Sequence, residues 1–172
     1  MKTLVIDLDE TLVHSAFKQP AQFDIKLPVA LETHELMVYV QVRPGCREFL
    51  EELSKYYELV IYTASLSKYA NPLLDILDPE GLCTSRLFRE HCTRVDATYA
   101  KDMSKLGRRI EDVILVDNSP NSYQMQPENA LPTITWIDDP DDTELFDFIP
   151  FLIHLSKVPD VREVLTQTNA DH

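Results

Sequence analysis

Four short apolar runs separated by helix-periodic stretches constrain this chain more than any other feature. Thr3–Leu8 (TLVIDL), Glu58–Thr63 (ELVIYT), Val113–Asp117 (VILVD) and Thr133–Ile137 (TITWI) are rich in β-branched and aliphatic residues. They read as short, centrally placed strands. Between them, Cys46–Tyr56 is helix-periodic and is entered through Pro44-Gly45. Ser67–Leu77 has Ser67 as its N-cap and Asp78-Pro79-Glu80-Gly81 as its stop. Near the end, Thr143–Lys157 is a long apolar-faced helix, bent or interrupted at Pro150, and Val161–Leu165 continues helically. Strands alternating with helices fold as a parallel sheet covered on both faces. Ligands of such sheets bind beyond the carboxyl ends of the strands. A length of 172 residues is that of one domain, spanning 1–172.

One segment breaks the alternation. Ala16–Val42 separates the first strand from its helix, where an ordinary βα connection takes about 2–6 residues. Within it Phe23–Leu27 and Leu36–Val42 alternate apolar and polar residues, the pattern of a small antiparallel flap. The three glycines, Gly45, Gly81 and Gly107, lie far apart, which excludes a Walker A loop and a G-x-G-x-x-G dinucleotide loop. A net charge of −13 argues against direct nucleic-acid binding through the general surface. The longest run of apolar residues and proline, Phe148–Ile153, is far short of a membrane span, and no signal peptide opens the chain. Cys46, Cys83 and Cys92 form no C-x-x-C pair and fit reduced thiols in an intracellular protein. His91 and Cys92 have no second pair at zinc-ligand spacing, and His14 reads as a packing or hydrogen-bonding residue. Asp138–Asp147 carries six carboxylates without the spacing of a calcium loop and reads as a solvated helix N-terminus.

The chemistry sits at the strand ends. The first strand ends in Asp7-Leu8-Asp9. At that spacing both carboxylates point to the same side, and two negative charges held together are costly without a cation. The second strand ends in Thr63 and the third in Asp117-Asn118, with Lys101 upstream on Tyr99–Leu106. A few oxygen ligands, with water and a substrate phosphate completing the shell, is how Mg²⁺ is usually held. Asp7 is ionised at neutral pH and is a carboxylate nucleophile that needs no base. Like charge and partial burial can raise the pKa of Asp9 toward acid/base work. Thr63 can donate to a phosphoryl oxygen, and Lys101 can neutralise the charge that builds on it.

Asp-Leu-Asp-Glu-Thr after an apolar strand, a Thr after the second, a Lys and then Asp-Asn resemble the motif set of the haloacid-dehalogenase-like phosphatases. The longer strings DLDETLVHS (7–15), YTASLSKYA (62–70), LFRE (87–90) and VDNSP (116–120) are similar to its FCP/SCP branch, the small members above all. The likeness runs from Lys2 to about Leu165. It implies an α/β, haloacid-dehalogenase-like (Rossmann-like) three-layer fold with a central parallel sheet and a small β flap insertion at about 16–42. It further implies that Asp7 is the nucleophile and a Mg²⁺ ligand, and that Asp9 is the acid/base and binds the metal through its backbone carbonyl. By the same resemblance Thr63 and Lys101 hold the phosphoryl group, Asp117 completes the metal site and Asn118 assists it. Arg89 matches an arginine that meets the substrate phosphate. Phe17, Val29, Leu31, Val38, Leu66 and Tyr69 match an apolar pocket for a substrate proline, although apolar flap residues equally serve as ordinary packing. The implied partner is the phosphorylated C-terminal domain tail of RNA polymerase II, which in turn implies a nuclear location. A monomer is the default.

Two features favour a phosphate substrate without the family. Arg86–Arg109 holds seven bases against three acids, a local +4 in a strongly acidic chain. The flap is too short to form a lid domain, and an open site suits a phosphorylated peptide better than a small metabolite. The expected function is a Mg²⁺-dependent phosphoserine protein phosphatase that works through a phosphoaspartate. The alternatives are another phosphoprotein or a small phosphate ester as substrate, or a catalytically silent phosphopeptide-binding module. The intact Asp7/Asp9 pair argues against the silent module.

Overall fold

The computed structural model describes residues 1–171. In chain order it contains β1 (Lys2–Ile6), β2 (Val13–Ala16), β3 (Ile25–Ala30), β4 (Glu35–Val42), α1 (Cys46–Leu53), β5 (Tyr57–Tyr62), α2 (Ser67–Leu77) and β6 (Cys83–Leu87). These are followed by β7 (Thr93–Val95), β8 (Thr98–Ala100), β9 (Val113–Asp117), β10 (Ala130–Pro132), α3 (Glu144–Leu155) and α4 (Val161–Ala170). The central sheet is five-stranded, in the order β10-β9-β1-β5-β6, and every neighbouring pair is parallel. β1 lies at its centre, with Leu4, Val5 and Ile6 wholly buried.

Side chains alternate across the sheet with period two, so its two faces have separate cores. Leu4, Ile6, Leu59, Ile61, Ile114 and Val116 pack with apolar residues of all four α-helices. Val5, Val60, Tyr62, Val113 and Leu115 pack instead with Met103, Leu106, Ile110 and Tyr123. That second layer is built from short 3₁₀ turns at Met103–Lys105 and Ile110–Asp112 rather than from α-helix.

Three expectations need correcting. Thr133–Ile137 is not a strand: β10 is Ala130–Pro132, and its last pair is Pro132 with Asp117, where β9 ends. Past the Thr133 N–H bond to the Asp117 carbonyl at 3.0 Å, no strand among the described residues partners the β-branched run, and the Trp136 N–H donates to the Glu10 carbonyl at 2.9 Å. Cys83–Leu87, too polar to stand out, is the edge strand β6. The N-cap of α2 is Leu66 in extended conformation, and Ser67 is the first helical residue. Pro150, by contrast, sits within a helix that runs unbroken from Glu144 to Leu155.

The flap is a three-stranded antiparallel sheet, β2-β4-β3. Leu27, Val29, Val38 and Val40 on its underside join the helix-side core. Two further strands, β7 and β8, form a small antiparallel hairpin whose Thr98 and Tyr99 line the cavity at the carboxyl edge of the central sheet.

Candidate active site

β1 delivers Asp7 to the carboxyl edge, where its N–H donates to the Val116 carbonyl at 3.0 Å. The chain then turns tightly, with Leu12 N–H bonded to the Leu8 carbonyl at 2.9 Å and Glu10 at φ 60°. This turn presents Asp9 beside Asp7. β5 delivers Thr63, β9 delivers Asp117, and the segment after β8 delivers Lys101. Asp7, Asp9, Thr63, Arg89, Lys101, Asp117 and Asn118 all line one open cavity of about 650 Å³. A parallel sheet makes this convergence unavoidable, because every strand ends on the same edge.

Lys101 organises the centre. Its ammonium is buried and donates to Asp7 Oδ1 at 2.8 Å and to Asp117 Oδ2 at 2.6 Å. Burial pulls its pKa down, but Asp7 and Asp117 outweigh burial and hold it above the ordinary lysine value. Asp7 Oδ2 accepts from the Thr11 hydroxyl at 2.9 Å, and Asp117 Oδ1 accepts from the Ser119 N–H at 2.9 Å. Burial and then the facing Asp7 carboxylate push Asp117 up to about 6, against the pull of Lys101. Asp9 is raised as well, first by burial, while hydrogen bonds from Ser65 and Tyr69 oppose the shift. Those bonds are firm: Ser65 Oγ donates to Asp9 Oδ2 at 2.6 Å, and the Tyr69 hydroxyl donates to Oδ1 at 2.8 Å. Tyr69 also bonds Ser15.

Among the described residues, no three His, Cys, Asp or Glu side chains group as a cage for a metal ion. The donor set nevertheless fits Mg²⁺, which is held by one or two carboxylates and keeps most of its waters. Three carboxylates, Asp7, Asp9 and Asp117, meet one ammonium here. Burial first, and then the facing Asp7 carboxylate, raise Asp117, and a divalent cation would relieve the like-charge part. Asn118 does not face the carboxylates alone: its Nδ2 donates to Thr135 Oγ1 at 3.0 Å, tying the end of β9 to the 133–137 crossover.

The six residues of the expected proline pocket are divided. Val29 and Val38 are core residues, 7% and 2% exposed, with little surface left for a ligand. Phe17, Leu31 and Leu66 are exposed, and Tyr69 is committed through its hydroxyl to Asp9 and Ser15. None of the six lines the cavity. Conversely, Thr11, Ser15 and Ser65 touch the reactive carboxylates or their partners without having been singled out in the sequence. Their cue was membership of the strings at 7–15 and 62–70, with Ser65 two residues beyond Thr63. The acidic run also does more than meet solvent: Asp142 and Glu144 pair with the fully buried Arg43.

Fold and site together define an α/β, haloacid-dehalogenase-like protein. Solved structures share the architecture. Fcp1, an essential RNA polymerase II CTD phosphatase, matches with a TM-score of 0.67 at 21% identity, over 98% of this chain and 53% of that one. A putative beta-phosphoglucomutase from Thermotoga maritima matches with a TM-score of 0.54 at 14% identity, over 99% of both chains. The family is closer still: residues 2–162 match the model of the NLI interacting factor-like phosphatases, and the chain belongs to that family. A probable C-terminal domain small phosphatase of Dictyostelium discoideum is 50% identical over 98% of this chain and 55% of its own length. The human carboxy-terminal domain RNA polymerase II polypeptide A small phosphatase 1 is 48% identical over 95% of this chain and 63% of its own. The chain thus spans about half to three-fifths of these relatives.

Proposed function

We propose that this chain is a Mg²⁺-dependent phosphoserine protein phosphatase that works through a phosphoaspartate on Asp7. We propose further that its substrate is the phosphorylated C-terminal domain tail of RNA polymerase II, which places its work in the nucleus. The observation that carries the chemistry is the Asp7/Asp9 pair just past β1 within an open cavity, with Asp7 bridged to Asp117 by a buried lysine. The relatives' names supply the substrate.

In this reading a carboxylate oxygen of Asp7 attacks phosphorus, the bond from phosphorus to the serine oxygen breaks, and Asp9 gives its proton to the departing oxygen. Burial raises the Asp9 pKa from its ordinary value, the direction that favours the protonated form this step needs. Water then attacks the phosphoaspartate. Asp9 takes a proton from that water, and the P–O bond to Asp7 breaks, releasing phosphate. Thr63 and Lys101 hold the phosphoryl oxygens, and Lys101 also keeps Asp7 aimed. Asp7, Asp117 and the Asp9 backbone carbonyl would hold Mg²⁺, which would supply further charge stabilisation when bound.

Asp7→Asn tests the reading. It is expected to lose at least about 10³-fold in kcat on a phosphoserine peptide, the scale on which removing a nucleophile acts. Beryllium fluoride is expected to form an aspartyl adduct on the wild type and none on the variant. Full activity in Asp7→Asn would sink the mechanism.

A further inference from the structure

The basic segment 86–109 is mostly spoken for. Arg86 pairs with Asp75, Lys101 with Asp7 and Asp117, Arg108 with Glu58, and Arg109 with Glu111. Lys105 Nζ donates to Thr93 Oγ1 at 2.8 Å. Among the described residues, Arg89 and Arg94 alone of the segment's arginines pair with no carboxylate, in a chain carrying 29 acids. Both lie against one aromatic ring. The Arg89 guanidinium is 5.4 Å and that of Arg94 is 5.1 Å from the centroid of Tyr99. Tyr99 and Arg89 line the catalytic cavity, and Arg94 does not. Tyr99 therefore joins a cation inside the cavity to one just outside it.

The arrangement is braced. Arg94 and Tyr99 are directly opposite each other across β7 and β8, a pairing that brings their side chains together. Arg94 Nε donates to the Asp96 carbonyl at 3.1 Å, and Nη1 donates to the Tyr99 hydroxyl at 3.3 Å. Thr98 Oγ1 closes the hairpin turn onto the Val95 carbonyl at 2.8 Å, and Gln124 bonds the same hydroxyl at 3.2 Å. Arg89 Nε is fixed on the Ala64 carbonyl at 2.7 Å. Backbone and ring hold both guanidiniums, and each keeps at least one N–H edge for an incoming group. A planar guanidinium stacked on an aromatic face is preorganised for a phosphate or carboxylate, and loses little freedom when it binds one.

We propose that Arg94, carried on Tyr99, is a second anion subsite on the hairpin wall of the cavity. It would bind an oxyanion of the substrate peptide flanking the phosphoserine that is hydrolysed. The preferred substrate class is then a doubly anionic segment, with either a second phosphoserine or an acidic residue beside the scissile one. This rests on the phosphopeptide reading above and goes further by assigning Arg94 to specificity.

The test compares one phosphoserine peptide with versions in which a second phosphoserine, or a glutamate, is stepped residue by residue to either side. The readout is the ratio of kcat/KM for the doubly anionic peptide to that for the neutral one, which a general loss of folding or catalysis leaves alone. The wild type is expected to favour one register of second anion by about tenfold. Arg94→Gln is expected to bring that ratio close to one, and Arg94→Lys to restore part of it. Phosphoserine preferred well over glutamate would identify the group as phosphate, and equal preference would identify a general acidic site. A wild-type ratio near one in every register, or a ratio that survives Arg94→Gln, would overturn the subsite. The same peptides are titrated by fluorescence anisotropy onto the Asp7→Asn protein. If the wild type hydrolyses none of them, the phosphatase reading fails, and the affinity ratio still decides the subsite.

Discussion

Asp117 is wholly buried, faces Asp7 and shares one lysine with it, and its raised pKa ties the charge of the site to the stability of the fold. A carboxyl pushed from 3.8 up to about 6 favours the folded state when protonated. Its contribution is full below pH 3.8 and lost as pH rises through about 6. In metal-free buffer, Asp117→Asn, which lacks that carboxyl and leaves Lys101 paired with Asp7 alone, is therefore expected to gain on the wild type in stability as pH rises through about 6, opening a gap relative to acid. The gap should close toward pH 4, as read from urea midpoints. Mg²⁺ should raise the Tm of the wild type and barely move that of Asp117→Asn. A gap that widens in acid would show the sign to be wrong. Asp9 calls for a different measurement. A serine alkoxide must be protonated as it leaves, whereas a phenolate leaves unaided. Asp9→Asn is expected to slow a phosphoserine peptide by about 10²–10⁴-fold, and an aryl phosphate by clearly less. Equal losses would remove Asp9 from the leaving-group step. At this scale the carboxylates were legible because acids ending an apolar strand are conspicuous. The roles of Thr11, Ser15 and Ser65 were not, since a single hydroxyl carries no periodicity and gains its meaning only from what the fold sets beside it.

Among the elements, the loop joining β4 to α1 carries the most consequence. Arg43 is 1% exposed. It donates from Nε and Nη2 to Asp142 at 2.7 and 3.0 Å, and from Nη1 to the Thr11 carbonyl at 3.0 Å and to Thr133 Oγ1 at 2.9 Å. One side chain thus ties the turn after β1 to the crossover after β10 and to the entry of α3. Arg43→Met would leave Asp142 and Glu144 without their cation, a loss expected to cost about 3–5 kcal/mol in urea unfolding. A cost under about 1 kcal/mol would mean that water replaces the arginine. Two residues on, Gly45 has φ 87°, and a Cβ there would stand 3.0 Å from the Phe146 ring of α3. Gly45→Ala is expected to cost about 1–2 kcal/mol from its left-handed backbone alone. If the half-exposed ring simply swings aside, the same cost will appear in a Phe146→Ala background. A smaller cost there would assign the difference to the clash. The Pro44-Gly45 entry was readable because turn residues mark themselves. The fate of Thr133–Ile137 was not: its β-branched pattern is that of a strand, and only the length of β9 decides whether a partner exists.

For the molecule as a whole, the carboxyl edge of the sheet gathers the carboxylates and Lys101, the β7–β8 hairpin sets Arg94 and Tyr99 beside Arg89, and the flap supplies apolar surface. The sheet, and the gathering of Asp7, Asp9 and Asp117 at its carboxyl edge, followed from apolar runs ending in acids. The pocket did not, because alternation in a flap shows which residues face inward without showing whether the inward side meets the core or a ligand. Here it meets the core at Val29 and Val38, while Phe17 is left 73% exposed and Leu66 46% exposed. The Ser15–Tyr69 bond joins β2 to the first turn of α2. Phe17, just past β2, and Leu66, at the entry of α2, are the exposed apolar residues flanking the two elements so joined, and Tyr69 in turn bonds Asp9. A rigid substrate proline laid on that apolar rim would lose little entropy on ordering, and its ring would gain on the order of 1–2 kcal/mol from burial. Phe17→Ala is therefore expected to lower about tenfold the ratio of kcat/KM for a proline-containing phosphopeptide to that for its alanine counterpart. Val38→Ala, which hollows the core, should instead lower Tm and leave that ratio in place. If Phe17→Ala lowers Tm and spares the ratio, Phe17 belongs to the fold, and substrate proline is read elsewhere.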